Sequence, residues 1–225
     1  MTVAQLKALR ALEGGHDDAD AFLEKRGTRF KGKTLRRFRL GHIHEAETVR
    51  WLKLAGFDLR THDSRGKQFS WALTYEAGKL GGSIDGCLVD GPPLPGLEYP
   101  ALFEHKIMKA SKWNAFVKDG AATSHPVYVA QCQVYMRQME LEVAVLCAIN
   151  TDTSEIHCEI IRLDPAVADK ALDRGLKVLQ AAKPETLPRL YGATPTDFRC
   201  KFCDWHERCW AEAAAPAKQE RSAWV

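Results

Sequence analysis

The run Ala101-Leu102-Phe103-Glu104-His105-Lys106-Ile107 constrains this chain most, because it sets a carboxylate and an ammonium inside an otherwise apolar strand. Side chains two apart in a strand point the same way, so Glu104 and Lys106 share one face. An exposed strand could carry them as an ordinary ion pair, but the apolar flanks argue for burial. Asp85, in Gly-Gly-Ser-Ile-Asp-Gly-Cys-Leu-Val-Asp, sits on the preceding predicted strand. The connection Asp-Gly-Pro-Pro-Leu-Pro-Gly-Leu-Glu is dense in turn residues and permits the two strands to pair, with Asp85 beside Glu104. Two converging carboxylates repel unless a proton or a cation separates them. Hard oxygen ligands suit Mg²⁺ or Mn²⁺. A lysine beside such an ion could orient or deprotonate a water while the ion stabilises charge developing on a phosphate.

Local signals place the remaining elements. A short helix over 4–12 precedes a longer one over about 34–55, which stops at Gly56 in the C′ position. Its inward stripe is Glu45, Val49 and Leu52, and a carboxylate there is unusual. Strands are expected over 68–76, 80–89 and 99–107. A helix over 126–139 opens with Pro126. Two branched-residue runs, 143–150 and 156–163, flank the turn Thr151-Asp152-Thr153-Ser154 and read as a hairpin. Asp164-Pro165 supplies an N-cap and first-turn pair for a helix to about 182. This order implies an α/β fold, a central mixed β-sheet flanked by helices. With 225 residues, 45% hydrophobic and 27% charged, the chain excludes general disorder and has room for one large domain and a small appendage. The expected division is a main domain over 1–195, a Cys-rich metal-binding segment over 196–212 and a frayed tail over 213–225.

The net charge of +3 hides an asymmetry. Residues 25–39 hold eight Lys or Arg and no acid, leaving 24 basic against 29 acidic residues elsewhere. A basic segment on an acidic body is a possible footprint for phosphate backbones, although a solvated helix start would look the same. No apolar run approaches the roughly 20 residues of a membrane helix. The N-terminal stretch lacks the apolar core of a secretory signal, so no membrane association is expected and the expected compartment is the cytoplasm. Of seven cysteines, Cys200, Cys203 and Cys209 crowd into ten residues. In a chain without export signals such clustering favours metal binding over disulfides.

Asp85 followed after a turn by Glu104-x-Lys106 resembles the signature of the PD-(D/E)XK nucleases. Gly41-His42-Ile43-His44-Glu45 is similar to the upstream helix motif of the lambda-exonuclease-like and RecB-like members. Gln131-x-x-x-Tyr135 matches the element on the helix after the catalytic strand, with both residues on one helical face. The resemblance spans residues 41–135 and implies a restriction-endonuclease-like core. It also implies that Asp85, Glu104 and the His105 backbone carbonyl ligate the catalytic cation, and that Lys106 positions or activates water. Glu45 would complete the metal shell, with His42 or His44 able to share that role. Gln131 and Tyr135 would orient the lysine and contact the scissile strand. Arg36, Arg37 and Arg39, from the basic segment, are the candidate DNA contacts.

Cys200-x₂-Cys203-x₅-Cys209 resembles the C-terminal cluster of RecB-like nucleases, where a fourth, N-terminal cysteine completes an iron–sulfur site. Here no cysteine precedes Cys87. A [4Fe–4S] cluster ordinarily takes four ligands, whereas His206 offers a Cys₃His set suited to zinc, with His16 or His42 as other closures. Both metals stay open. The implied function is a Mg²⁺- or Mn²⁺-dependent DNA exonuclease of phage-type recombination or repair in a bacterial or phage-infected cell. No G-x-x-x-x-G-K-[S/T] loop is present, so such an enzyme must load on existing ends or rely on a partner such as a single-strand annealing protein. Two alternatives are a CRISPR-adaptation-type nuclease that trims DNA and a non-catalytic DNA-binding protein on a nuclease fold.

Overall fold

The computed structural model describes residues 32–76, 78–181 and 194–197, together with Cys200, His206 and Trp210. The chain divides into two units, Met1–Asp173 and Arg174–Val225. The helix expected over 4–12, Cys203, Cys209 and the tail lie outside the described residues.

Helix α1 (Gly32–Leu54) ends as its sequence dictates. Gly56 takes φ +94°, the Gly56 N–H donates to the Lys53 carbonyl and the Phe57 N–H to the Leu52 carbonyl. These two bonds form a Schellman motif, closed by the one residue type that enters this backbone region without a Cβ penalty. Strands β1 (Asp58–Arg60), β2 (Ser70–Tyr75), β3 (Gly78–Ser83), β4 (Gly86–Asp90) and β5 (Ala101–Met108) follow. Three helices come next: α2 (Ala110–Asp119), α3 (Ala121–Ser124) and α4 (Pro126–Met139). The hairpin β6 (Val143–Asn150) and β7 (Ile156–Arg162) leads into α5 (Pro165–Gln180). Asp164 Oδ1 accepts the Ala166 and Val167 N–H groups at 3.0 and 3.3 Å, the N-cap expected of Asp-Pro.

The main sheet has the order β1-β4-β5-β6-β7, with β2 and β3 in a separate two-stranded sheet. Only β5 and β6 run parallel; the other neighbours are antiparallel. A parallel pair needs a long crossover, and α2, α3 and α4 provide it. The fold is therefore a mixed sheet flanked by helices. Leu102 and Met108 share an apolar cluster with Phe116, Cys132 and Met136 from α2 and α4. Ala101 and Phe103 pack on the other face with Leu59, Leu88, Val49 and Leu52, the last two from α1. Strand alternation thus gives β5 two interiors, one under α4 and one under α1.

Three features depart from the sequence expectation, the first being β1, a strand where no element is expected. The run 80–89 is not one strand: it breaks at Ile84-Asp85, and its halves enter different sheets. Helices α2 and α3 fill a stretch for which the sequence analysis assigns no element. Gln133, buried on α4, ties that helix to the end of β7: Nε2 donates to the Arg162 carbonyl at 2.8 Å and Oε1 accepts the Asp164 N–H at 2.7 Å. Buried polar groups persist where such partners are complete.

Candidate active site

The break before β4 creates the site. Strand β4 pairs with β5 at Gly86↔Phe103, Cys87↔Leu102 and Leu88↔Ala101 and no further. Before Gly86 the chain turns toward β2, where the Ile84 N–H donates to the Phe69 carbonyl and Gln68 Nε2 to the Ile84 carbonyl. The edge of β5 from Glu104 onward therefore lacks a β4 partner, while its other edge stays paired with β6 through Met108. Asp85 occupies the fork. Its Oδ2 accepts the His105 N–H at 2.8 Å, taking the place of a strand carbonyl.

Glu104 is 1% exposed, and Lys106 Nζ donates to its Oε1. Oε2 is buried and has no hydrogen-bond partner. Burial, then the charge of Asp85, pushes the Glu104 carboxyl up to about 7. Burial, then the charge of Glu45, pushes Asp85 up to about 6, against the bond from His105. For Lys106, burial pulls the ammonium down, but Glu104, its hydrogen bond and Asp85 outweigh it, so its pKa lies above the ordinary value. The lysine stays charged. Its Nζ also lies 5.2 Å from the centroid of the Tyr128 ring.

The His105 side chain points to the other face. Its Nε2 is 3.1 Å from Thr48 Oγ1, whose hydroxyl donates to the His44 carbonyl at 2.9 Å. With that proton committed, Nε2 is the donor. Burial lowers the imidazole to about 4, so it is neutral and anchors β5 to α1. One turn earlier on α1, Glu45 is 3.7 Å from His42 Nδ1, and its hydrogen bond raises the His42 pKa. Glu45 also acts on Asp85 and Glu104 through its charge.

Gln131 hydrogen-bonds the Tyr135 hydroxyl, as expected of one helical face, and burial raises the pKa of that phenol. Tyr135 meets Trp71 edge to face at 6.1 Å and lies against Gly82, where a Cβ would sit 2.7 Å from the ring. Only glycine on β3 permits this approach. Arg36, Arg37 and Arg39 are exposed on α1. In the second unit Cys200 is buried, and His206 Nε2 lies 2.9 Å from the Pro195 carbonyl, which leaves Nδ1 as its available donor atom. Thr48, Tyr128 and Gln133 escape the sequence analysis. Tyr128 carried a usable signal, because it lies three and seven residues before Gln131 and Tyr135 on the same helical face.

The oxygen donors suit a hard divalent cation: among the described residues a buried carboxylate oxygen has no partner, and the Asp85 charge raises the Glu104 carboxyl, a repulsion such an ion would relieve. Among the described residues, no three His, Cys, Asp or Glu side chains are gathered closely enough to hold a metal ion. Lys106 occupies one oxygen of Glu104, and Glu45 stands beside His42.

No protein-family model matches the chain, and no curated protein sequence matches it. Among solved structures, the protein designated SSO0001 is similar at TM-score 0.44 and 19% identity, over 80% of this chain and 71% of that one. The alkaline exonuclease LHK-Exo from Laribacter hongkongensis is similar at TM-score 0.44 and 18% identity, over 69% of this chain and 73% of that one. The same exonuclease in complex with dAMP gives 0.43 and 18% over the same shares. Likenesses this weak identify no family. Among the described residues, no helix is long and apolar enough to cross a membrane.

The raised carboxyls set a pH dependence. A group whose pKa rises on folding stabilises the fold fully below its unfolded value, about 4 for a carboxyl, and loses that contribution as pH climbs through the folded value. With folded values of about 6 and about 7, the cation-free protein should lose thermal stability between pH ~4 and ~7. Glu104→Gln should flatten this decline, as melting curves across the window would reveal.

Proposed function

We propose that this chain is a nuclease that hydrolyses DNA phosphodiesters with bound Mg²⁺ or Mn²⁺, acting as an exonuclease on DNA ends in phage-type recombination or repair. The observation that carries the reading is the buried fork, where Asp85 and Glu104 repel each other beside a charged Lys106. Structural ion pairs rarely include a second, half-buried carboxyl and an unpartnered buried oxygen, because leaving such groups unsatisfied costs about 1–3 kcal/mol or more. Perturbed carboxyls gathered at a strand fork mark a functional site.

Asp85, Glu104 and the His105 backbone carbonyl would hold the cation, with Glu45 completing its surroundings. When bound, that ion supplies charge stabilisation for the phosphate and its displaced oxygen. The chain's own groups do the positioning. Asp85 is held by the His105 N–H, so its second oxygen can turn to a ligand. Lys106, held beside Glu104 through Oε1, would donate to the attacking water and fix its approach. Gln131 and the Tyr135 hydroxyl form one bonded unit on α4, suited to orienting the scissile strand. Arg36, Arg37 and Arg39 supply positive charge for phosphates. Such an enzyme would take ends as it finds them or receive them from a partner such as a single-strand annealing protein. Cys200, Cys203, Cys209 and His206 would hold a structural zinc ion, or the cysteines a [4Fe–4S] cluster; thiolates are too soft for the hydrolytic centre.

Three outcomes are expected. Purified protein should degrade end-labelled duplex, and spare a closed circle, only with Mg²⁺ or Mn²⁺; Asp85→Asn and Glu104→Gln should abolish cleavage while DNA binding persists. Turnover by either variant would overturn the assignment. Neutralising Arg36, Arg37 and Arg39 should reduce the log–log salt slope of duplex binding by roughly one unit per lost phosphate contact. Elemental analysis of anaerobically purified protein should find zinc or iron, reduced in Cys203→Ser along with its melting temperature; neither metal, with unchanged stability, would return these cysteines to ordinary packing.

A further inference from the structure

Among the described residues, two contacts of the Lys106 ammonium stand out, and the one to Glu104 belongs to the proposed catalytic set. The other is Tyr128, whose ring centroid lies 5.2 Å from Nζ. An ammonium within about 6 Å of an aromatic face is attracted by the ring's quadrupole, more strongly where water is excluded. Lys106 is largely buried, with its side chain 18% exposed. The attraction therefore operates in a dry setting.

Tyr128 is itself held in place by a chain of contacts that reaches back to the sheet. The His125 ring stacks on it at 5.3 Å and 9°. Phe116 meets His125 edge to face at 6.0 Å, and meets His157 of β7 at 4.9 Å. His125 Nδ1 lies 2.7 Å from Ser124 Oγ, whose hydroxyl donates to the Gly120 carbonyl at 2.7 Å, so Nδ1 donates and the ring plane is set. Glu159 of β7 anchors this corner, with its carboxylate accepting the Ala121 N–H at 2.9 and 3.1 Å. Three rings, a hydroxyl and a carboxylate thus line up behind the placement of one tyrosine face. A core with no task for that face would not require it to end at a buried lysine.

We infer that Tyr128 is a positioning residue for Lys106: its ring face, fixed by stacked His125, holds the ammonium at the fork when a cation shares the Glu104 carboxylate. This deepens the nuclease reading and rests on it for the consequence in catalysis. A cation on the unpartnered Oε2 would draw charge from the carboxylate and weaken its hold on Lys106 through Oε1, and without a second holder that side chain would regain rotamers. The ring keeps the ammonium near where water must be oriented. The contact uses the π face rather than the phenolic oxygen, so phenylalanine should serve and an aliphatic residue should not.

The experiment has two independent readouts. In protein labelled with ¹³Cε-lysine, the Lys106 resonance, assigned by its loss in Lys106→Arg, should carry an upfield ring-current shift. Tyr128→Phe should retain that shift, Tyr128→Leu should lose it, and His125→Ala should reduce it. These spectra need no cleavage. In steady-state assays with Mg²⁺, Tyr128→Leu should lower kcat by about 10²-fold, the effect of a misplaced catalytic group, with little change in KM, and Tyr128→Phe should restore it. A Lys106 resonance unmoved in folded Tyr128→Leu, or wild-type kcat in that variant, would overturn the inference. If Tyr128→Leu fails to fold, His125→Ala decides: an unchanged Lys106 shift and kcat would overturn it equally. Wild-type protein that cleaves nothing with any cation would overturn the nuclease reading instead, and the resonance shifts would still decide whether Tyr128 holds Lys106.

Discussion

The parting of β4 from β5 at Gly86↔Phe103 is the constraint on which the rest of the site depends. Up to that pair the two strands form an ordinary antiparallel ladder. One residue earlier, Asp85 stands where another ladder pair would form, and its carboxylate takes the His105 N–H that a strand carbonyl would otherwise accept. A backbone donor left unpaired in the interior carries a penalty comparable to a lost hydrogen bond. The fork thus requires an acceptor, and an ionisable one brings charge with it. Because β5 stays paired with β6 over the same residues, Glu104 and Lys106 are held on a rigid strand beside an open edge.

Alternation along β5 then separates anchoring from chemistry. Odd-numbered side chains Phe103 and His105 face α1, where an apolar cluster and the Thr48 contact lock the strand in register. The even-numbered Glu104 and Lys106 face α4, between Leu102 and Met108 in the cluster beneath that helix. A register slip of one residue would exchange the two sets, placing the carboxylate against α1 and Phe103 over the fork. Apolar packing on both sides of the sheet therefore specifies the charged site as firmly as any contact within it.

Burying these charges is unfavourable by itself. Breaking a buried ion pair by removing one partner typically costs about 3–5 kcal/mol, and the second carboxyl worsens the balance. The cation-free fold responds with raised carboxyl pKa values, pushed up to about 7 for Glu104 and about 6 for Asp85. The same proximity that raises these values is what a divalent ion would relieve. In the proposed reading, the arrangement that costs stability without a cation is the one that would bind it.

Much of this was legible locally. Gly56, Pro126 and Asp164-Pro165 mark helix ends because their effects act within one turn of backbone, and the β6–β7 hairpin follows from two branched runs around a tight turn. Asp85, Glu104 and Lys106 could be singled out because carboxylates and an ammonium are conspicuous among apolar neighbours. The break within 80–89 was not legible, since Gly81, Gly82 and Ser83 do not contradict a continuous strand until Tyr135 is packed against Gly82. Nor were the partners of buried polar groups: Thr48 for His105, Tyr128 for Lys106, and the Arg162 and Asp164 backbone for Gln133. The sequence by itself marked most helix and strand segments and the residues that carry charge, because propensity, capping and periodicity are short-range, but it left β1, α2 and α3 unassigned. Strand order, the fork and the face over Lys106 were decided only by tertiary structure, because they depend on which segments, far apart in the chain, compete to cover the same apolar surface and satisfy the same backbone donors.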